Sequence, residues 1–428
     1  MKELFRKLII IIYTVLRRIK HLFVKNVQAI HIGFLSEEFF HEDLRSFGGY
    51  GMTIKYITDH FNTNGNTLKG SVLLTYPLNV PRIEKKQYHN ADVIVLPKDQ
   101  SNYVVKQLQY CQNVHALNLN TFISIDYFGS YEYALESFPT IPWIIWLKDP
   151  RDRTEWEKIF TVELEAKSLG NKEREKLIAF ADRQAESLNR VIKQARRWDR
   201  KIYFAAEIDN LTDIARRQFG RPDITATHLP KAIPFSGPAK PSWSQRPSFL
   251  FIGRLDPVKR PWIYFKLAKH FPEADFYVAG KTHCPEIMNP VLNSYNNVPN
   301  LKFLGNIFGQ AKTNIFNNIW AIINTSIHES LPVSFLESFM YGKPVISCHN
   351  PQGLTEKFGY YTGEISGEGN TAQDIEKFLT GLKHIISSEF DRARVGQEAM
   401  DYVKKMHTYE NYENTVRWIL KEAKPYVN

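Results

Sequence analysis

Two acidic side chains stand eight residues apart in the strongest chemical motif of this sequence. The motif runs from His328 through Glu329-Ser-Leu-Pro-Val-Ser-Phe-Leu to Glu337, after an apolar run typical of a buried strand. Pro332 can open a helix there, because the N–H that proline lacks would be unpaired in the first turn. The free N–H groups of that turn, aided by the helix dipole, would suit an anion.

The two carboxylates of this motif suit carbohydrate hydroxyls. Glu329 lies before the predicted helix and Glu337 about one and a half turns into it. Carboxylate oxygens accept hydrogen bonds from vicinal diols, so one acid could hold a ribose and the other a hexose. The alternative interpretation is a helix cap and a surface glutamate.

Two cations five residues apart follow a second strand-like run, in Phe249-Leu-Phe-Ile-Gly253-Arg254-Leu-Asp-Pro-Val-Lys259. Fixed Arg and Lys side chains stabilise the charge that develops on a departing diphosphate, which removes the need for a metal. No Asp-x-Asp pair stands at a strand end in this half of the sequence, so we predict no metal site. The alternative is a loop whose charges are only solvated.

Alternating strand-like and helix-like segments must position these residues. Such alternation predicts parallel sheets covered by helices, and 428 residues suit two or three domains. The composition is that of a globular protein, and three distant cysteines argue against disulfides or a zinc site and fit a reducing compartment. The predicted strands are 29–34, 72–76, 92–96, 122–125, 143–147, 202–205, 224–228, 249–252, 275–279, 301–304, 319–323 and 344–347.

A proline-rich stretch marks the predicted domain boundary. Residues 230–247 contain five prolines, which neither a helix nor a central strand tolerates. We therefore predict an N-terminal domain over 26–229, with a long helical segment at 154–200, and a C-terminal domain over 248–405. The final helix, 406–428, is expected to pack back on the N-terminal domain.

The first 25 residues are strongly basic. They hold seven Lys or Arg and one Glu, which gives +6 of the formal net charge of +10. The apolar run 8–16 is about half the length that spans a bilayer, and basic residues follow where a signal-peptide cleavage site would stand. We expect an uncleaved segment that lies on an anionic membrane surface. The alternatives are a first helix packed on the protein and a nucleic-acid contact, which no recognisable module supports.

A second basic cluster lies at the carboxyl end of the long helical segment. It predicts either an ordinary solvated helix face or a surface for a membrane or an acidic acceptor. Its members are Arg190, Lys193, Arg196, Arg197, Arg200 and Lys201.

Together, the two motifs resemble the retaining glycosyltransferases of the family-4 type (glycosyltransferase group 1). A strand ending in Val278-Ala279-Gly280, the turn at Leu304-Gly305 and the stretch Tyr341-Gly-Lys-Pro-Val-Ile-Ser347 extend the match through 248–348. The resemblance implies the α/β GT-B fold, in which two Rossmann-like parallel-sheet domains face each other across an interdomain cleft. It also implies that the C-terminal domain binds the donor.

The same resemblance implies residue roles. Arg254 and Lys259 would grip the donor diphosphate, Glu329 would contact the sugar and Glu337 the ribose, with Gly305 near the base. Arg254, Lys259 and Glu329 are thus the predicted catalytic residues. The full predicted donor site is Gly253, Arg254, Lys259, Gly305, Glu329, Ser330, Leu331, Pro332, Val333, Ser334 and Glu337.

The N-terminal half matches this family more loosely. Gly48, Gly49 and Gly51, after Phe47, resemble its glycine-rich cleft loop, although a plain turn is an equal alternative. Lys148 stands where many relatives have a histidine, and a cation there would change how the site is charged near neutral pH. Asp126, Tyr127 and Asp149 are the other candidates on the acceptor side.

The expected function is retaining transfer of a hexose from a nucleotide-diphosphate sugar to a saccharide or lipid-linked saccharide. We expect no cofactor, no metal and no nucleic acid, and a peripheral place on the cytoplasmic face of a membrane, in surface polysaccharide or glycan biosynthesis. The alternatives are a sugar-nucleotide epimerase on the same fold and an inactive GT-B binding protein in a membrane assembly.

Overall fold

A computed structural model describes residues 2–23, 29–41, 44, 48–63, 65–98 and 103–427. Residues 24 and 25 of the basic segment and Phe47 of the glycine loop lie outside the described residues. The chain forms two compact units. The first comprises Met1–Pro150, Asp182–Pro234 and Thr408–Asn428, and the second Arg151–Ala181 and Phe235–His407.

The first unit contains an eight-stranded sheet in the order β3-β4-β2-β1-β5-β6-β7-β8. All neighbouring strands pair in parallel except β3, which pairs antiparallel with β4. The central strands β5, β6 and β7 are fully buried, as expected where helices cover both faces. The strands are β1 Ile30–Ser36, β2 Leu68–Leu78, β3 Glu84–Tyr88, β4 Ala91–Pro97, β5 Thr121–Ile125, β6 Trp143–Leu147, β7 Ile202–Ala206 and β8 Ala226–His228.

The second unit contains a six-stranded, wholly parallel sheet in the order β11-β10-β9-β12-β13-β14. Because β9 and β12 are neighbours, the loops that follow their carboxyl ends lie at one edge of the sheet. The strands are β9 Ser248–Ile252, β10 Asp275–Ala279, β11 Leu301–Gly305, β12 Ala321–Asn324, β13 Val345–Ser347 and β14 Gly359–Tyr361.

Fifteen α-helices connect and cover the strands in the described part of the chain. They are α1 Lys2–Phe23, α2 Gly49–Phe61, α3 Tyr103–Ala116, α4 Glu132–Ser137, α5 Arg153–Phe160, α6 Glu163–Trp198, α7 Asn210–Phe219, α8 Pro261–His270, α9 Pro285–Asn293, α10 Gly309–Asn318, α11 Val333–Met340, α12 Leu354–Lys357, α13 Ala372–Ser387, α14 Glu389–Met406 and α15 Tyr409–Lys421. Of those described here, none is both long and apolar enough to cross a bilayer.

The helical segment 154–200 is divided between the two units, although we expected all of it to belong to the N-terminal domain. It forms α5 and α6, with a backbone break at Gly170 (φ 69°), and its residues up to Ala181 belong to the second unit. The reason is packing, since Ile159 and Val162 are buried in the apolar core of that unit.

Two strands are not predicted by the sequence. β3 alternates charged and polar residues, and β14 has only three residues, so neither has a buried-strand pattern. The last helix, α15, belongs to the first unit, where Tyr412, Val416 and Ile419 are fully buried in the core.

Candidate functional site

Backbone packing shapes the loop that follows β9. The Gly253 N–H donates to the Ala279 carbonyl at 3.0 Å, and the Gly280 N–H donates to the Gly305 carbonyl at 2.8 Å. Gly280 has φ +140°, and a Cβ there would collide with the Gly253 carbonyl oxygen. These two hydrogen bonds join the ends of β9, β10 and β11, and the close approach at Gly280 permits only a residue without a side chain.

Lys259 and Glu329 form an ion pair at this edge of the sheet. The Lys259 Nζ lies 2.6 Å from the Glu329 Oε1. The same oxygen accepts hydrogen bonds from Ser326 Oγ at 2.6 Å and from Asn324 Nδ2 at 3.1 Å. The structure therefore brings together a predicted cation and a predicted acid that stand 70 residues apart in sequence.

This pair fixes the charge of Glu329. Burial alone would raise the pKa of this carboxyl, but the Lys259 ammonium and the hydrogen bonds from Lys259 and Ser326 outweigh burial and lower the pKa to about 2. Glu329 is therefore ionised at any working pH and can only accept hydrogen bonds.

Replacing Lys259 with methionine is expected to raise the pKa of Glu329, because burial would then act without the ammonium. In the wild type, ionised Glu329 stabilises the folded state above its ordinary value of 4.5, and that stabilisation is lost as the pH falls towards 2. A carbon-13 NMR titration of the Glu329 carboxyl, assigned with Glu329→Gln, measures the shift. Lys266→Met is the control, and an unchanged pKa in Lys259→Met would contradict the assignment.

Arg260, next to Lys259, is a structural residue that the motif analysis did not single out. Its guanidinium is fully buried and donates to the carbonyl oxygens of Thr325, Ser326, Ile365 and Gly367 at 2.8–2.9 Å. It therefore ties the loop after β9 to those after β12 and β14. The available signal was a third basic residue directly before the helix-opening Pro261.

Glu337 is paired with a lysine that sequence reasoning missed. The Lys312 Nζ of α10 lies 2.7 Å from the Glu337 Oε1, and the Glu337 side chain is 6% exposed. Arg254 lies 3.4 Å from Asp256 and remains 42% exposed. Of the predicted cations, Lys259 is thus held by an acid of the motif, and Arg254 is bound within its own loop.

The predicted anion-binding turn begins α11. Pro332 is the N-cap and the helix runs from Val333, with no side-chain hydrogen bond at the cap. Leu331 is buried, whereas Ser330, Pro332, Val333 and Ser334 are half-buried. These residues follow Glu329 directly, so the loop after β12 supplies both a carboxylate and a helix N-terminus.

Two glutamates from the segment 151–181 brace the paired loops. Glu155 of α5 lies 2.9 Å from His328 Nδ1, next to Glu329. The Glu165 carboxylate of α6 accepts the N–H of Val258 at 3.1 Å, next to Lys259. The sequence could not predict these two contacts, because a helical pattern does not show which part of the second unit the helix packs against.

In the first unit, Asp126 and its neighbours form a buried polar cluster after β5 and β6. Asp126 (φ +53°) accepts the backbone N–H groups of Lys148 at 2.7 Å and Asp149 at 2.9 Å, and also the Tyr50 hydroxyl. Burial, and then the Asp149 charge, raise the pKa of Asp126 to about 6. Tyr127 lies elsewhere, buried with its hydroxyl on Ser187.

Lys148 lies in a buried ion triad. Its ammonium bonds to Glu207, whose other oxygen lies 2.8 Å from the Lys231 Nζ. The three residues follow the neighbouring strands β6, β7 and β8. Burial lowers the pKa of Lys148 to about 7, although the charge of Glu207 opposes this. Sequence reasoning singled out only Lys148 of the three.

Gly49 and Gly51 of the predicted glycine loop lie in the first turn of α2, with Gly48 as its N-cap, and this turn faces an internal carboxylate. Gly51 N–H donates to Glu38 Oε1 at 2.7 Å, and a side chain at Gly48 would meet that carboxylate. An acid of the chain itself therefore occupies this helix N-terminus, while Gly49 has open space around it. Among the described residues, no three His, Cys, Asp or Glu side chains cluster closely enough to hold a metal.

Comparison with known proteins shows a similar family and a similar fold. Residues 238–401 match the family model of the glycosyl transferases group 1. A comparison with curated protein sequences gives no match. The predicted resemblance to group 1 glycosyltransferases is confirmed over residues 238–401 by the family match, and the predicted GT-B fold is confirmed by the similar structures below. The retaining, family-4 subtype stays a prediction.

Three solved structures are similar over nearly the whole chain. HepE of Anabaena in complex with UDP-glucose is 12% identical, with a TM-score of 0.62, and covers 92% of this chain and 100% of its own. The sucrose-phosphate synthase of Thermosynechococcus elongatus is 13% identical, with a TM-score of 0.62, and covers 92% and 98%. The lipopolysaccharide outer core galactosyltransferase WaaB, in its apo form, is 17% identical, with a TM-score of 0.54, and covers 91% and 99%.

Proposed function

We propose that this chain, a glycosyltransferase with its group 1 region at residues 238–401, transfers a hexose with retention from a nucleotide-diphosphate sugar to a saccharide or lipid-linked saccharide. The Lys259–Glu329 pair carries the proposal, because it sets a cation beside an ionised carboxylate in the loops that follow two neighbouring strands. The similar fold of HepE was solved with UDP-glucose, which supports a nucleotide sugar as donor.

In the proposed reaction, Lys259 and Arg254 neutralise the donor diphosphate while Glu329 accepts a hydrogen bond from the sugar. Ser326 and Asn324 keep Glu329 hydrogen-bonded when Lys259 turns towards phosphate. The bond from the anomeric carbon to the phosphate oxygen breaks as the acceptor oxygen bonds to the same face. The acceptor proton passes to the departing phosphate oxygen. Positioning and charge stabilisation supply most of the rate.

We place this reaction at the cytoplasmic face of a membrane, in surface polysaccharide or glycan biosynthesis. The basic first 25 residues support a membrane location. WaaB, which shares the fold, is a lipopolysaccharide galactosyltransferase.

A thermal-shift screen against UDP, GDP, ADP, CDP and dTDP sugars tests the proposal. We expect one nucleotide class to raise the melting temperature, because it binds only the folded state. NMR of the product with that donor then reports the anomeric configuration. No shift with any donor, together with no release of nucleotide, would overturn the proposal. Donor turnover to an isomer without acceptor would favour an epimerase.

The reaction is expected to proceed without a metal ion, because Lys259 and Arg254 supply the positive charge at the diphosphate. Initial rates should be equal in EDTA and in added Mg²⁺ or Mn²⁺. A loss of transfer in EDTA that added metal restores would show that the two cations do not suffice.

A further inference from the structure

Helix α1 exposes a continuous apolar stripe. Eight of its aliphatic and aromatic side chains are 44–72% exposed, at spacings of three and four residues that put them on one helix face. They are Leu4, Phe5, Leu8, Ile11, Ile12, Val15, Leu16 and Ile19. A contiguous apolar face of this kind is unusual on a soluble monomer and marks an interaction surface.

The opposite face of α1 holds the helix on the first unit. Ile9 and Ile10 are each 8% exposed, and Tyr13 packs edge-on against His115 of α3 with ring centroids 5.2 Å apart. Arg6 forms an ion pair with Glu136 of α4. The helix is therefore docked by its less apolar face, and its more apolar face points away from the protein.

Positive charge lies near the docked face of α1. Arg17 on α1 lies near Arg200, which follows α6. Burial lowers the pKa of Arg200, and the charge of Arg17 lowers it further. Nη1 of both arginines is buried without a hydrogen-bond partner in the described part of the chain. Around Arg200, the end of α6 exposes Lys193, Arg196 and Arg197, and Lys201 follows.

We propose that α1 lies in the interface of an anionic lipid bilayer, with its apolar stripe at the acyl boundary and the basic end of α6 against the headgroups. An amphipathic helix binds a membrane in this way through buried apolar area and attraction to anionic lipid. The same positive charge disfavours pairing with a second copy of this chain, since like charges would meet. The donor site plays no part in this contact, so its failure would leave the proposed reaction intact.

Co-sedimentation of the full chain with vesicles tests the surface. One vesicle is pure phosphatidylcholine, and in the other a third of the lipid is phosphatidylglycerol. We expect the wild type to bind the second far better, and Leu8→Glu combined with Ile12→Glu to lower its partition at least about tenfold. Phe390→Glu, at a 77% exposed position in the second unit, is the control and should bind like the wild type.

Charge is tested separately. Arg196→Gln combined with Arg197→Gln should lower partition onto anionic vesicles at least about fivefold, because each basic side chain near the surface adds attraction. Lys404→Gln with Lys405→Gln removes an adjacent, exposed basic pair from α14 and should have no effect. Melting curves confirm that every variant is folded.

Two results would overturn the membrane assignment. In the first, the wild type fails to sediment with anionic vesicles, or the Leu8 and Ile12 double variant sediments like the wild type. In the second, sedimentation velocity shows a wild-type oligomer that this double variant dissolves, while neither protein binds vesicles. The stripe would then be a contact between copies of the chain.

Discussion

Lys259→Ala is expected to lower the rate of hexose transfer by about two to three orders of magnitude. The reason is that charge developing on the leaving diphosphate would lose a cation fixed by Glu329 at 2.6 Å. Single-turnover kinetics with the donor identified by thermal shift measure the chemical step directly. The fold should survive, because Glu329 keeps its hydrogen bonds from Ser326 and Asn324.

The matched control for this variant is Lys266→Ala. Lys266 lies on α8 in the same unit, and its Nζ donates to the exposed Asn370 Oδ1 at 2.9 Å. Its loss should therefore leave the rate unchanged. Arg254→Ala is expected to impair transfer as well, since Arg254 is the second predicted cation of the diphosphate site. Full activity in Lys259→Ala or Arg254→Ala would reject the assigned role of that residue.

Glu207→Gln is expected to destabilise the first unit by about 3–5 kcal/mol. The substitution leaves Lys148 and Lys231 buried beside each other without their shared counter-charge. Both side chains are less than 5% exposed, so water cannot replace the lost carboxylate. Urea denaturation followed by circular dichroism measures the loss.

Two further variants make this result specific. Asp213→Asn removes an exposed ion pair with Arg216 on α7 of the same unit, and should cost at most about 1 kcal/mol. Adding Lys148→Met to Glu207→Gln removes one unpaired charge and should recover part of the loss. Equal stability of Glu207→Gln and Asp213→Asn would show that the triad is not a buried ionic unit.

The triad also bears on the lysine that stands in place of a histidine. Burial lowers the pKa of Lys148 to about 7, close to the range in which an imidazole titrates. Glu207 binds the Lys148 ammonium directly and opposes the loss of its charge. That Lys148, Asp126 and Asp149 act on the acceptor side stays a prediction.

The sequence by itself determined the local features of this protein. Apolar runs of four to six residues predicted most strands, and glycines and prolines marked the turns. The order of motifs in 248–348 indicated the group 1 family. These signals are local. A buried strand or a turn requires particular residue types at neighbouring positions, so a single segment is enough to display the pattern. The polar strand β3 and the short β14 lacked such a pattern and were missed.

Only the tertiary structure decided which distant groups meet. Because β12 lies beside β9 in the sheet, Lys259 meets Glu329. The packing of α5 and α6 in the second unit places Glu155 and Glu165 against the same loops. The pairing of Glu207 with two lysines likewise required β6, β7 and β8 to be neighbours. Contacts across a sheet follow from how the whole chain packs, and no local spacing records that information.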